Sequence, residues 1–171
     1  MEKKNLFKNL FIYLGTVVFR QKKDNIDNNS AHLSWEVPKD TYIPAYIINL
    51  PTSGINITRN SKLVFSLADG DNNNDKLIDL SIKVYDKSGN TAELPISYFQ
   101  PLQNTLKTRI LKIPFNSLSP DSEAIFQRYI FSLNDFKKVN SKFTPEELER
   151  IDFVFNKTKK GSVLLDDVGI D

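Results

Sequence analysis

Short runs in which apolar and polar residues alternate, divided by turn residues, make up most of this chain. Period-two alternation marks a strand with one buried face. The run AHLSWEV (31–37) sets Leu33, Trp35 and Val37 against polar partners. TYIPAYIINL (41–50) carries Pro44, which suits a sheet edge or a bend because proline has no N–H to give a ladder. KLVFSLA (62–68) is a strong strand, and LIDLSIKVYD (77–86) places Ile78, Leu80, Ile82 and Val84 on one face. The KSGN turn (87–90) joins that strand to TAELPIS (91–97) as a hairpin. TRILKIPF (108–115) and QRYIFSL (127–133) are further strands, and NDFKKVN (134–140) is a single turn after the second. Thr144, Pro145 and Glu147 have the spacing of a capping box that opens a one- or two-turn helix. About eight or nine strands with almost no helix predict an all-β sandwich of two antiparallel sheets.

The last stretch, RIDFVFNKTKKGSVLLDDVGID (150–171), reads as two strands and a polar turn, a final hairpin central to the fold. Ile151, Phe153 and Phe155 alternate with polar or smaller partners and predict core positions. Gly161 closes the connection, where a residue able to take positive φ costs least. Continued alternation puts Leu164, Asp166, Val168 and Ile170 on one face. A carboxylate between apolar neighbours on a core-facing strand needs a partner. That partner is an arginine (Arg109 and Arg128 lie on core strands), a set of backbone amides, or a bound cation. A bulge turning Asp166 and Asp167 to solvent is the alternative.

Length and composition narrow the classes. A chain of 171 residues with 40% hydrophobic and 26% charged residues suits one folded domain with a real core. Twelve Phe and six Tyr lean toward β structure. The well-mixed charges sum to +2, which is no nucleic-acid footprint. With no cysteine, disulfides, thiolate catalysis and cysteine-bound zinc are excluded. Residues 1–30 form a separate N-terminal segment, with a basic start, an apolar run from Leu10 to Phe19 and an Asn-rich connector. The run is too short to span a bilayer and lacks small residues for a signal cleavage site. It reads as a buried strand or helix, a remnant of an upstream domain, or a short anchor. The sandwich domain is assigned to residues 31–171.

Catalytic chemistry has little to draw on. His32 is the only histidine, no G-x-S-x-G elbow is present, and the six glycines are scattered singly. The tract DGDNNND (69–75) has oxygen ligands at the spacing of a calcium loop, but Asn74 stands where glycine is wanted and Leu80 where glutamate is. A solvated turn has the same composition. Asp166 and Asp167 are the better metal candidates, through the burial argument. Trp35, Tyr46, Tyr98, Phe99 and Tyr129 offer aromatic rings for sugar stacking, although a sandwich core uses the same residues. Tyr98 and Phe99, in a loop before Pro101, stand apart from the strands.

The run FSLNDFKKVNSKFTPEELERIDFVFNKTKKGSVLLDDVGI (131–170) resembles the C-terminal part of galactose-binding-like jelly rolls, which occur as carbohydrate-binding modules and as accessory domains of bacterial hydrolases. KLVFSLADGD (62–71) with LIDLSIKVYDKSGNTAELPIS (77–97) resembles the β-sandwich that follows a catalytic α/β-hydrolase domain in some secreted or surface bacterial enzymes. The resemblance implies a jelly-roll β-sandwich that is non-catalytic, extracellular or at the cell surface, and associated with a hydrolase. It implies a carbohydrate ligand, for which Tyr98, Phe99, Trp35 and Tyr129 are the candidate stacking residues by the aromatic reading above. It also implies a structural calcium ion, since the first acid of the last strand, here Asp166, helps hold calcium in such modules. The alternatives are a packing domain with no small-molecule ligand and a hydrolase built on an unrecognised carboxylate pair.

Overall fold

The computed structural model describes residues 30–37, 43–51, 55–70, 77–107 and 122–171. The N-terminal segment 1–29, the predicted strand 108–115 with Arg109, and most of the acidic tract 69–75 lie outside the described residues. The described strands are β1 (Ala31–Glu36), β2 (Ala45–Asn49), β3 (Lys62–Asp69), β4 (Ser81–Asp86), β5 (Thr91–Pro95), β6 (Leu106–Lys107), β7 (Ser122–Glu123), β8 (Gln127–Ser132), β9 (Leu148–Val154) and β10 (Lys160–Ile170). One helix, α1 (Leu133–Val139), and two 3-10 turns, Ile96–Tyr98 and Pro145–Glu147, accompany them. No helix among the described residues is long and apolar enough to cross a membrane.

Two four-stranded antiparallel sheets face each other. The first runs β1-β10-β3-β8 and the second β2-β9-β4-β5, with β6 and β7 as a separate small pair. Every neighbour in either four-stranded sheet is antiparallel, and only β4–β5 joins consecutive strands as a hairpin. Gly89, at φ +82, supplies the left-handed residue that its turn needs. This is the jelly-roll sandwich, with an inner face of alternating large apolar residues.

The alternation read along the chain sets that inner face. Leu33, Trp35, Phe65, Leu67, Ile82, Val84, Ile151, Phe153 and Phe155 are all buried. Phe65 stands at the centre, stacked on Tyr129 at 5.3 Å and meeting Phe153 of the opposite sheet edge-on at 5.1 Å. Trp35 stacks on Phe155 at 4.3 Å and donates its indole N–H to the Thr158 carbonyl at 2.8 Å. Rings from both sheets thus interlock, and their geometry adds to the area they bury.

Several local readings are corrected. β9 and β10 do not form a hairpin: each is a central strand of a different sheet, and the segment between them crosses from one to the other. Gly161 is needed for close approach rather than for positive φ, because a Cβ there would lie 2.6 Å from the Trp35 ring. The capping box is not formed. The Thr144 side chain makes no cap bond, and the Thr144 N–H donates instead to Asp86 Oδ2 at 3.0 Å, leaving only a 3-10 turn. The turn expected at 134–140 is a true helix, α1, with the Ser132 hydroxyl accepting the Asn134 N–H at its start.

β10 also presents the opposite face from the one expected. Val163 and Leu165 point inward, while Leu164 and Asp166 lie on the outer face. At Asp167, with φ +53, a bulge shifts the register against β3 between Asp166 and Gly169. An extra residue in one strand inverts side-chain parity beyond it, so Val168 returns to a buried position.

Candidate functional site

The outer face of the second sheet carries a polar and aromatic grid set by strand register. Asn49, Arg150, Tyr85 and Thr91 form one cross-strand row, and Ile47, Asp152, Lys83 and Glu93 the next. All eight sit on the side away from the core because they alternate with Ile48, Ile151, Val84 and their neighbours. The Arg150 guanidinium lies over the Tyr85 ring at 3.8 Å, and Lys83 Nζ stands 5.3 Å from the same ring. Arg150 donates from Nε to Asp152 Oδ1 at 2.9 Å and from Nη2 to Asp152 Oδ2 at 2.8 Å. This two-point fork holds the guanidinium flat.

Asp152 is almost fully buried, and the Arg150 side chain is about one-third exposed. Burial opposes the charge on Arg150, but the hydrogen bond and charge of Asp152 outweigh it and raise its affinity for the proton. Glu93 accepts from Asn156 Nδ2 at 2.7 Å, so it too is oriented within the face. What this arrangement offers is a flat ring-and-guanidinium surface bordered by fixed donors and acceptors.

The residues anticipated as binding groups divide into two sets. Trp35 (3% exposed) and Tyr129 (0%) are core residues, and Tyr46 is buried as well. Tyr98 (55%) and Phe99 (46%) are exposed at the sandwich flank, beside β8. Asp166 is half-buried on the outer face of the first sheet, its Oδ1 accepting the Asp167 N–H at 2.8 Å, and Asp167 is exposed. Arg128 approaches Asp171 at 3.9 Å rather than Asp166. Among the described residues no three His, Asp or Glu side chains converge as a metal centre would need.

Sequence reasoning missed both Arg150–Asp152–Tyr85 and a partner for His32. The first was masked because Arg150 and Asp152 look like ordinary polar positions of an alternating strand, and Tyr85 lies 65 positions from Arg150. The only available signal was an Arg-x-Asp spacing, which places two side chains on one strand face. His32 Nε2 meets Ser162 Oγ at 2.6 Å, with Ser34 Oγ 3.2 Å from the same hydroxyl, where β1 pairs with β10. Among the described residues no carboxylate hydrogen-bonds to His32, so the orienting group of a serine-hydrolase triad is not among them.

No protein-family model matches the chain, and no curated protein matches it in sequence. Solved structures do match in fold. A family 30 carbohydrate-binding module of a cellulosomal cellulase of Clostridium thermocellum superimposes at TM-score 0.58 and 15% identity, over 95% of this chain and 85% of that one. A family 11 module of another cellulosomal cellulase of the same organism gives 0.59 and 10%, over 98% and 91%. The family 11 module from that organism in complex with a β-1,3-1,4-mixed-linked tetrasaccharide gives 0.58 and 9%, over 97% and 92%. Nearly the whole chain is therefore matched, and its fold is the two-sheet jelly roll of carbohydrate-binding modules.

Proposed function

We propose that this chain is a non-catalytic carbohydrate-binding module that takes a polysaccharide across the outer face of the β2-β9-β4-β5 sheet. The observation that carries the reading is the Arg150 guanidinium, held over Tyr85 and forked onto Asp152. A sugar ring presents a C–H face and a rim of hydroxyls. Its recognition requires a flat weakly polar surface beside hydrogen-bonding groups whose positions are set before binding. Arg150 and Tyr85 supply the surface, and Asn49, Lys83 and Glu93 supply the bordering groups. The shared fold with modules of cellulosomal cellulases supports the same reading. On it, the chain serves a partner or attached hydrolase outside the cell, and His32 with Ser162 is a structural hydrogen bond.

Native affinity electrophoresis in gels containing soluble mixed-linkage β-glucan, with pull-down on cellulose and agarose, tests the proposal. The chain should be retarded or retained by at least one of these. Tyr85→Ala and Arg150→Ala should each weaken binding about tenfold or more, equivalent to about 1.4 kcal/mol. Folded variants that bind as tightly as the parent chain would sink the placement on this sheet. Esterase turnover that disappears in His32→Ala would overturn the non-catalytic reading.

A further inference from the structure

The flank of the sandwich carries a second aromatic surface, built on the turn after β5 rather than on the sheet face. The 3-10 turn Ile96–Tyr98 leaves β5, the outermost described strand of the second sheet, and the residues after it run beside β8, the outermost described strand of the first. Ile96 is fully buried and anchors the turn. The N–H groups of Phe99 and Gln100 both return to the Ile96 carbonyl, at 3.0 and 3.2 Å. Gln100 Nε2 donates to the Arg128 carbonyl at 3.2 Å, and Gln127 Nε2 to the Pro101 carbonyl at 3.2 Å. Ser97 Oγ donates to Asp79 Oδ2 at 2.8 Å. The backbone here is held on both sides.

The rings are held too. Tyr98 stacks on Phe131 at 6.4 Å, and Phe99 leans on Tyr129 and Phe131, each at 6.0 Å. Core rings therefore brace two adjacent rings that still expose about half their surface, 55% for Tyr98 and 46% for Phe99. Keeping this much aromatic area in water is unfavourable, and capping the core would need only the buried half of each ring.

We propose that Tyr98 and Phe99 form a second, independent carbohydrate site, a stacking platform for one or two residues of a β-linked hexopyranose chain; the inference rests on the carbohydrate-binding reading above. The size of the patch decides the class of occupant. Two half-exposed rings offer about 200 Å² in total, against about 800 Å² per partner in a stable protein interface. Polar groups adjoin them: Ser97 and Gln100 flank the two rings in sequence, the Gln103 N–H is held by the Gln127 side chain, and the Lys138 charge is close enough to Tyr98 to interact with it. A hexopyranose with equatorial hydroxyls matches this: a C–H face for the rings and a hydroxyl rim for the amides.

The test is an amide chemical-shift titration of the full chain with the β-1,3-1,4-mixed-linked glucose tetrasaccharide. Two separate sets of shifts are expected, one at residues 97–100 and one around Lys83, Tyr85, Arg150 and Asp152. Phe99→Leu keeps an apolar plug over Tyr129 and Phe131 but removes the flat ring, so it should raise the Kd of the first set about tenfold and leave the second set and Tm unchanged. Shifts at 97–100 alone would uphold the platform and overturn the sheet-face placement. Shifts confined to the sheet face, or a first set indifferent to Phe99→Leu, would overturn the platform and leave the carbohydrate reading intact. No shifts with this ligand or with cellulose-, xylan- and agarose-derived oligosaccharides would overturn both.

Discussion

Asp86 ties three segments of the chain together through one carboxylate. It is 1% exposed, and it accepts the N–H groups of Ser88 at 3.0 Å, Asn90 at 2.8 Å and Thr144 at 3.0 Å, with Asn90 Nδ2 at 3.0 Å as well. Burial alone would push its pKa up. The donors from Asn90, Thr144 and Ser88 outweigh burial and hold it below the usual carboxylate value. A depressed folded-state pKa gives stability that is fully present above the unfolded value of about 3.9 and is lost as pH falls through the folded one. Acid titration of Tm should therefore show a loss below about pH 4 that Asp86→Asn diminishes. Asp86→Ala strands several backbone donors and should cost on the order of 2–4 kcal/mol in urea unfolding. A loss of a few tenths would mean that water replaces the carboxylate freely. The turn half of this cluster is visible in the sequence, since aspartate before Lys-Ser-Gly-Asn is ordinary turn chemistry. The Thr144 half is not, because that contact spans 58 positions and nothing local marks it.

At the scale of elements, β9 shows why alternation is legible and partner choice is not. Its inward residues, Ile151 and Phe153, meet Ile48 and Tyr46 on one side and Val84 and Ile82 on the other. Phe153 touches Phe65 across the sandwich. Phe153→Ala should cost about 3–5 kcal/mol in denaturant unfolding, the range for removing a large aromatic side chain from a packed interior. A cost near zero would contradict the register of both ladders. The same period-two signal predicted β4 with its inward face, and β3 and β5 were legible as strands, but β10 was misplaced. Two consecutive leucines, Leu164 and Leu165, give no parity signal, and the bulge at Asp167 changes parity within the strand.

Over the whole molecule, the two sheets share one buried cluster that runs from Leu33 to Val168. The β9–β10 connection is pinned to both sheets: the Thr158 carbonyl accepts the Trp35 indole N–H, and the Thr158 hydroxyl bonds with the backbone of Asp79. Such a core should unfold as one unit. Fluorescence of Trp35, the single tryptophan, and far-UV circular dichroism should give coincident transitions in urea. Fluorescence that shifts at lower denaturant than the dichroism would show that β1 peels away before the sheets melt.

The sequence by itself determined the class of this protein. Alternation at period two decides which residues face inward, and that local pattern survives whatever the strands pair with, as Leu33, Ile82, Val84, Ile151 and Phe153 show. It also marked Tyr98 and Phe99 as apart from the strands, because they lie outside any alternating run. Only the tertiary structure decided which strands are neighbours, and hence the candidate site. Arg150 and Asp152 meet Tyr85 because β9 lies beside β4, and Trp35 and Tyr129 are core because their strands face the opposite sheet. Pairing between distant strands is set by how the whole interior packs. A functional cluster on a sheet face is therefore written in the register between strands, not in any one of them.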